Sequence, residues 1–214
     1  MCRYRSGRGY SRSSYSSPYS GGYSYRTSYS GGSPGGGGVS RRTRSGRPVA
    51  YTPGEWRVVQ PYAEKAAEQA QQHPDRRDLF LCHAWADRES SARELHGHLK
   101  TNGATVWFSE DDIALGSLQM REIDKGLRNS RIGIVLVTPA LLTGIQNGGG
   151  IAEKELAALL SRGRVVPVLH GVTFEELSDV SLMLASHAGI STKDSSLDAV
   201  AAKIAAAAAA LPVV

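Results

Sequence analysis

Glu153 and Glu155 stand in the first turns of GGGIAEKELAALL, residues 148–160, where three glycines break into an alanine-rich helical run. A carboxylate there can favour the positive end of a helix, worth about 0.3–1 kcal/mol, or it can stabilise positive charge that develops in a reaction. With Ala152, Leu156, Leu159 and Leu160 as the buried stripe, the two acids flank it on opposite sides by similar angles, so periodicity does not choose between them. Cys82 beside His83 is a second pair of reactive types, those of a thiol nucleophile and its base. Neighbours on a continuing strand point to opposite faces. Cys82 therefore reads as a small core residue, and His83 as a side chain able to touch a ligand at the strand end. No Cys or His has the spacing of a metal-ligand set.

The elements that would position these groups follow from hydrophobic pattern. DLFLCHAW opens with an apolar run of strand length, and RESSARELHGHLKTNG repeats Ala92, Leu95 and Leu99 at helical spacing before a stop at Gly103. ATVWF (104–108) is a second strand, SEDDIALGS a polar loop, and LQMREIDKGLRN a helix with Ile123 and Leu127 on one face. RIGIVLVTP is apolar throughout, which requires burial on both faces. RVVPVLH is a fourth strand and AAKIAAAAAAL a closing helix. Strands alternating with helices predict an α/β fold, a parallel sheet covered on both sides, with ligands beyond the carboxyl ends of the strands. A phospho-accepting receiver domain has the same pattern, but its acidic positions hold Cys82-His83 and Thr138-Pro139 here. The glycines at 148–150 are followed by no Lys-Ser/Thr, and no G-x-G-x-x-G opens a helix after the first strand, so a nucleotide loop is excluded.

Composition divides the 214 residues near Pro48. Residues 1–47 hold nine arginines and no acid, a charge of +9 that leaves −4 on the remainder of a chain whose total is +5. The basic balance thus belongs to the amino-terminal segment, and the body has no general claim on nucleic acid. Tyrosine repeats among Ser, Gly and Arg from Tyr4 to Tyr29 predict a disordered basic tail at 1–47. Such a tail is either a solvated leader or a site of weak RNA or polyanion contact through cation–π and stacking. Residues 48–77 read as a linker whose PYAEKAAEQAQQ (61–72) forms a helix, with Pro61 in its first position, that either docks on the domain or spaces it. Two cysteines are too few for a disulfide framework. With no signal-like run and no apolar stretch long enough for a bilayer, a soluble cytoplasmic protein without membrane contact is expected.

The order DLFLCHAW, VWFSEDDIALG, SRIGIVLVTP, EKELAALLSRGRVVPVLHG resembles the Toll/interleukin-1 receptor (TIR) domain family, in particular its bacterial members, across residues 78–210. The resemblance implies a flavodoxin-like sheet with Asp78 and Phe80 in its opening strand motif and a mobile loop from Phe108 to Gly116. It implies that Glu155, followed by leucine as in the family's enzymes, is the catalytic residue of NAD cleavage, while Glu153 remains structural. His83, Ala84, Trp85, Trp107, Phe108 and Gly116 would face NAD, which is substrate, with no cofactor or metal. Many family enzymes carry a tryptophan four residues before the glutamate, where this chain has Ile151, and Trp85, Trp107 or Phe108 would stand in. Homo-oligomerisation is implied too, the site being built across two protomers, and a role in signalling or defence. The other function the resemblance implies is a non-catalytic module acting by homotypic self-association. Hydrolysis and cyclisation of NAD both remain open.

Overall fold

The computed structural model describes residues 38–114, 118–147 and 165–209. The expected disorder of residues 1–37 lies outside them. Five strands, β3 (Arg77–Cys82), β4 (Val106–Trp107), β5 (Ser130–Val137), β6 (Val165–Leu169) and β7 (Ile190–Ser191), form a parallel sheet in the order β4-β3-β5-β6-β7. Every residue of β5 is buried. Its alternate side chains divide between two cores: Ile132, Ile134 and Leu136 on one face, Val135 and Val137 on the other. β3 does the same with Leu79 and Leu81 against Phe80 and Cys82. That two-faced burial is why both strands read as unbroken apolar runs.

Helices α1 (Pro53–Gln72), α2 (Ser91–Thr101) and α8 (Leu197–Ala208) cover the first face. Alanines at 201, 202 and 205–208 of α8 are buried, and their small side chains let both α1 and α2 pack on it. On the second face lie α4 (Gln119–Arg128), α5 (Pro139–Gln146), α6 (Phe174–Val180) and α7 (Leu182–Ala185), supplying Ile123, Leu127, Leu141, Leu142, Leu177 and Leu184. Gly103 takes φ 83°, the left-handed conformation that ends α2. Pro167 is tolerated in β6 because the ladder to the two-residue β7 begins one residue later, at Val168. No helix among the described residues is long and apolar enough to cross a membrane.

Three expectations change. The disordered tail does not extend to residue 47. β1 (Val39–Arg42) and β2 (Pro48–Tyr51) form an antiparallel hairpin around Gly46, whose φ is 89°. Arg44 makes a two-pronged contact with Asp78 at 2.7 and 3.1 Å, and Arg47 does so with Asp198 at 2.8 and 2.7 Å. Composition counted these arginines as solvated because their acids are remote in sequence. The helix of residues 48–77 starts earlier than expected: Thr52 and Glu55 form a capping box, Pro53 opens α1, and Pro61 lies inside the helix. Burial of Val59, Ala63 and Ala66, with Tyr62 donating to the Ala188 carbonyl at 3.1 Å, docks α1 on the domain and outweighs the hydrogen bond that Pro61 cannot donate. Finally, the polar loop after β4 begins with one helical turn, α3 (Ser109–Asp112).

Candidate functional site

From β3 the chain steps one way to β4, and from β5 the other way to β6, so a crevice opens beyond the carboxyl ends of β3 and β5. Two segments form its floor. One is the 3-10 turn Trp85–Asp87 with Ala84 before it, and the other is Thr138-Pro139 at the start of α5. Thr138 ties them together: its hydroxyl donates to Asp87 Oδ2 at 2.6 Å while accepting from the Leu141 amide at 3.1 Å as the cap of α5. A carboxylate therefore sits across the reversal point of the sheet. The sequence reading missed Asp87, and a lone acid after a strand carries no periodic signal; knowing that β3 borders β5 would have marked it.

The residues expected to face a substrate divide. Trp85 is 65% exposed at the crevice, with the Arg88 guanidinium 4.0 Å from its ring centre and donating to the Trp85 carbonyl at 2.9 Å. Ala84 is buried, and its carbonyl accepts from the Asp87 amide at 2.9 Å. Trp107 and Phe108 are not available for stacking on a ligand. Trp107 lies flat on Phe80 with ring centres 4.5 Å apart, and Phe108, fully buried, sits against His96 at 4.6 Å and His83 at 5.2 Å. His83 also departs from expectation, since its side chain is 5% exposed and both ring nitrogens are engaged: Nδ1 with the Ala84 carbonyl at 2.9 Å, Nε2 with Ser109 Oγ at 3.2 Å. Cys82 is a core residue at 1% exposure. Burial pushes the His96 imidazole below its ordinary value, against the attraction of Asp111.

Beside the crevice, a cleft of about 670 Å³ is lined by Glu89, Ser90, Ser91, Arg93, Glu94 and His170. Thr192 donates to the Leu169 carbonyl at 3.2 Å, so its oxygen accepts from His170 Nδ1 at 3.0 Å, which leaves Nε2 as the acceptor of the neutral ring. Among the described residues no three His, Cys, Asp or Glu are grouped to hold a metal ion. Glu153, Glu155, Ile151, the glycines at 148–150 and Gly116 lie outside the described residues.

A family model described as TIR domain matches residues 79–205. Relatives include the NAD(+) hydrolase TcpA of Theionarchaea archaeon, 35% identical over 121 residues, 54% of this chain and 35% of that protein. The NAD(+) hydrolase PdTIR of Paracoccus denitrificans is 31% identical over 59% of this chain and 42% of its own. The 2' cyclic ADP-D-ribose synthase BtTIR of Bacteroides thetaiotaomicron is 29% identical over 56% and 42%. The chain thus spans less than half the length of these relatives. Among solved structures, a metazoan TIR-STING receptor from C. gigas has a similar fold, with a TM-score of 0.51 at 20% identity, covering 63% of this chain and 40% of that one.

Proposed function

Because this chain belongs to the TIR domain family, we propose that it cleaves NAD at the bond between nicotinamide and ribose. The observation that carries this reading is the similarity, at 29–35% identity, to relatives named for consuming NAD by hydrolysis or by cyclisation. The matched span, residues 79–205, includes both segments that floor the crevice. Chemically the task is modest in one respect. Nicotinamide departs neutral from a positively charged ring, so the leaving group needs little acid. The ribose left behind is oxocarbenium-like, and an ionised carboxylate held against it stabilises that charge, as in glycoside cleavage. Glu155 takes that role by its resemblance to the family's catalytic glutamate. Trp85 offers a ring face for a base, and Asp87 a carboxylate for ribose hydroxyls. The test is nicotinamide release by the purified chain, dilute and concentrated, with ADP-ribose and cyclic products separated by chromatography. Glu155→Ala should abolish release and Glu153→Ala should not; equal turnover in both would sink the assignment.

A second reading, homotypic assembly without chemistry, draws support from large apolar side chains exposed on α6 and α7: Phe174 at 48%, Leu182 at 76% and Met183 at 64%. A concentration-dependent increase in sedimentation, with NAD left intact, would favour it.

A further inference from the structure

His83 is the side chain whose expected and observed roles differ most. Its Nδ1 faces the Ala84 carbonyl, which can only accept, so that nitrogen carries the proton. Nε2 lies 3.2 Å from Ser109 Oγ, whose hydroxyl donates to Glu110 Oε1 at 3.1 Å, so Ser109 links the ring to a carboxylate of α3. The two partners belong to different segments. The Ala84 carbonyl is also held by the Asp87 amide and so anchors the turn that carries Trp85 and Asp87. Ser109 is the first residue of α3.

The rest of α3 is tied down from other directions. Glu110 lies 3.9 Å from His83 Nε2; Asp111 meets Arg93 at 3.5 Å and His96 at 3.7 Å; Asp112 accepts from Arg77 at 2.6 Å and from the Phe108 amide at 2.8 Å. Beneath it, Phe108 is packed between the two imidazoles. These contacts tie the turn to β3 and α2, and the His83 ring joins it to the crevice turn.

We propose that His83 is a positioning residue, a strut that fixes α3 in register with the crevice turn Trp85–Asp87 without touching the substrate. The turnover half of its test rests on the NAD-cleavage reading; the other half does not. His83→Asn keeps a donor near the Ala84 carbonyl but is too short for Ser109, whereas His83→Gln reaches Ser109. Amide hydrogen exchange is read at Asp111, Asp112 and Ile113, whose N–H groups bond to the Phe108 and Ser109 carbonyls. His83→Asn should speed it about tenfold, the loss of one hydrogen bond, and His83→Gln should restore slow exchange. In NAD turnover, kcat should fall about tenfold in His83→Asn with KM within about twofold, as for misplaced rather than missing contacts, and recover in His83→Gln. Should either variant fail to fold, Ser109→Ala against Ser109→Thr poses the same contrast from the other end. If the paired variants behave alike in exchange, the strut is wrong. If exchange differs but an active enzyme turns over NAD equally in both, its positioning role is wrong. A chain that leaves NAD intact while exchange differs retains the strut and loses the functional reading.

Discussion

A methyl group on Gly126 would lie 2.4 Å from Trp107 Cε2, closer than packed carbons can approach. Trp107 cannot retreat, because its other neighbour is the Phe80 ring stacked 4.5 Å away. Gly126→Ala should therefore cost about 1–3 kcal/mol of stability, seen as a lower urea midpoint together with a shift in Trp107 fluorescence; an unchanged midpoint would mean that the helix moves freely off the sheet. Trp85→Ala should behave oppositely. Its ring is exposed, so the fold should change by less than about 0.5 kcal/mol, while lost stacking raises KM for NAD about tenfold. A KM equal to wild type would remove Trp85 from the site. In the sequence Trp85, Trp107 and Phe108 looked interchangeable, each an aromatic at a strand end. What separates them is which face the strand presents to which helix, and that is settled by contacts with Phe80 and His96. Cys82 was legible because a small side chain in an apolar run has one usual fate.

At the scale of elements, β3 and β5 were legible because continuous burial leaves an unbroken apolar pattern, and α4 because Ile123 and Leu127 repeat at helical spacing. The β1–β2 hairpin was hidden by its charge. Asp78, 2% exposed, makes sense of it: Arg44 from the hairpin, Arg131 from β5 at 2.9 Å, and the Thr105 amide and hydroxyl at 2.8 Å all converge on this carboxylate. Burial alone would push the Asp78 carboxyl up, but hydrogen bonds from Arg44 and Thr105 hold it below the usual range. A depressed carboxylate contributes stability that is fully present above its unfolded pKa, about 4, and is lost as pH falls through the folded value. Arg44→Ala should thus cost about 1–2 kcal/mol at neutral pH, discounted because Arg44 is 37% exposed. Its melting temperature should also decline less than wild type between neutrality and about pH 3. Parallel melting curves for the two proteins across that range would show that Arg44 does not set the Asp78 ionisation.

For the whole molecule, the hairpin changes what the basic segment can do. Of the nine arginines in residues 1–47, Arg44 and Arg47 already hold Asp78 and Asp198, and Arg41 lies 5.4 Å from the Trp56 ring centre. Residues 1–37 keep five. If they cluster the protein through a polyanion, the full chain should reach a given specific NAD turnover at lower protein concentration than residues 38–214 alone, and added salt should close the gap. Superimposed curves would leave them a solvated leader.

The hairpin also determines where a pull on those residues is felt. Tension entering at Val39 meets the ladder at its open end, the Val39–Tyr51 pair, and parts the bonds one after another rather than all at once. Opening runs back toward Arg42–Pro48 and is arrested at Arg44, riveted to Asp78. Six residues, 38–43, come free before the rivet is loaded, a segment of about 20 Å at roughly 3.4 Å each that can swing away from β2. A tether gripping the amino-terminal segment would thus draw on a mechanical fuse at the amino ends of the strands, and the crevice at their opposite ends would feel no strain until that fuse was spent.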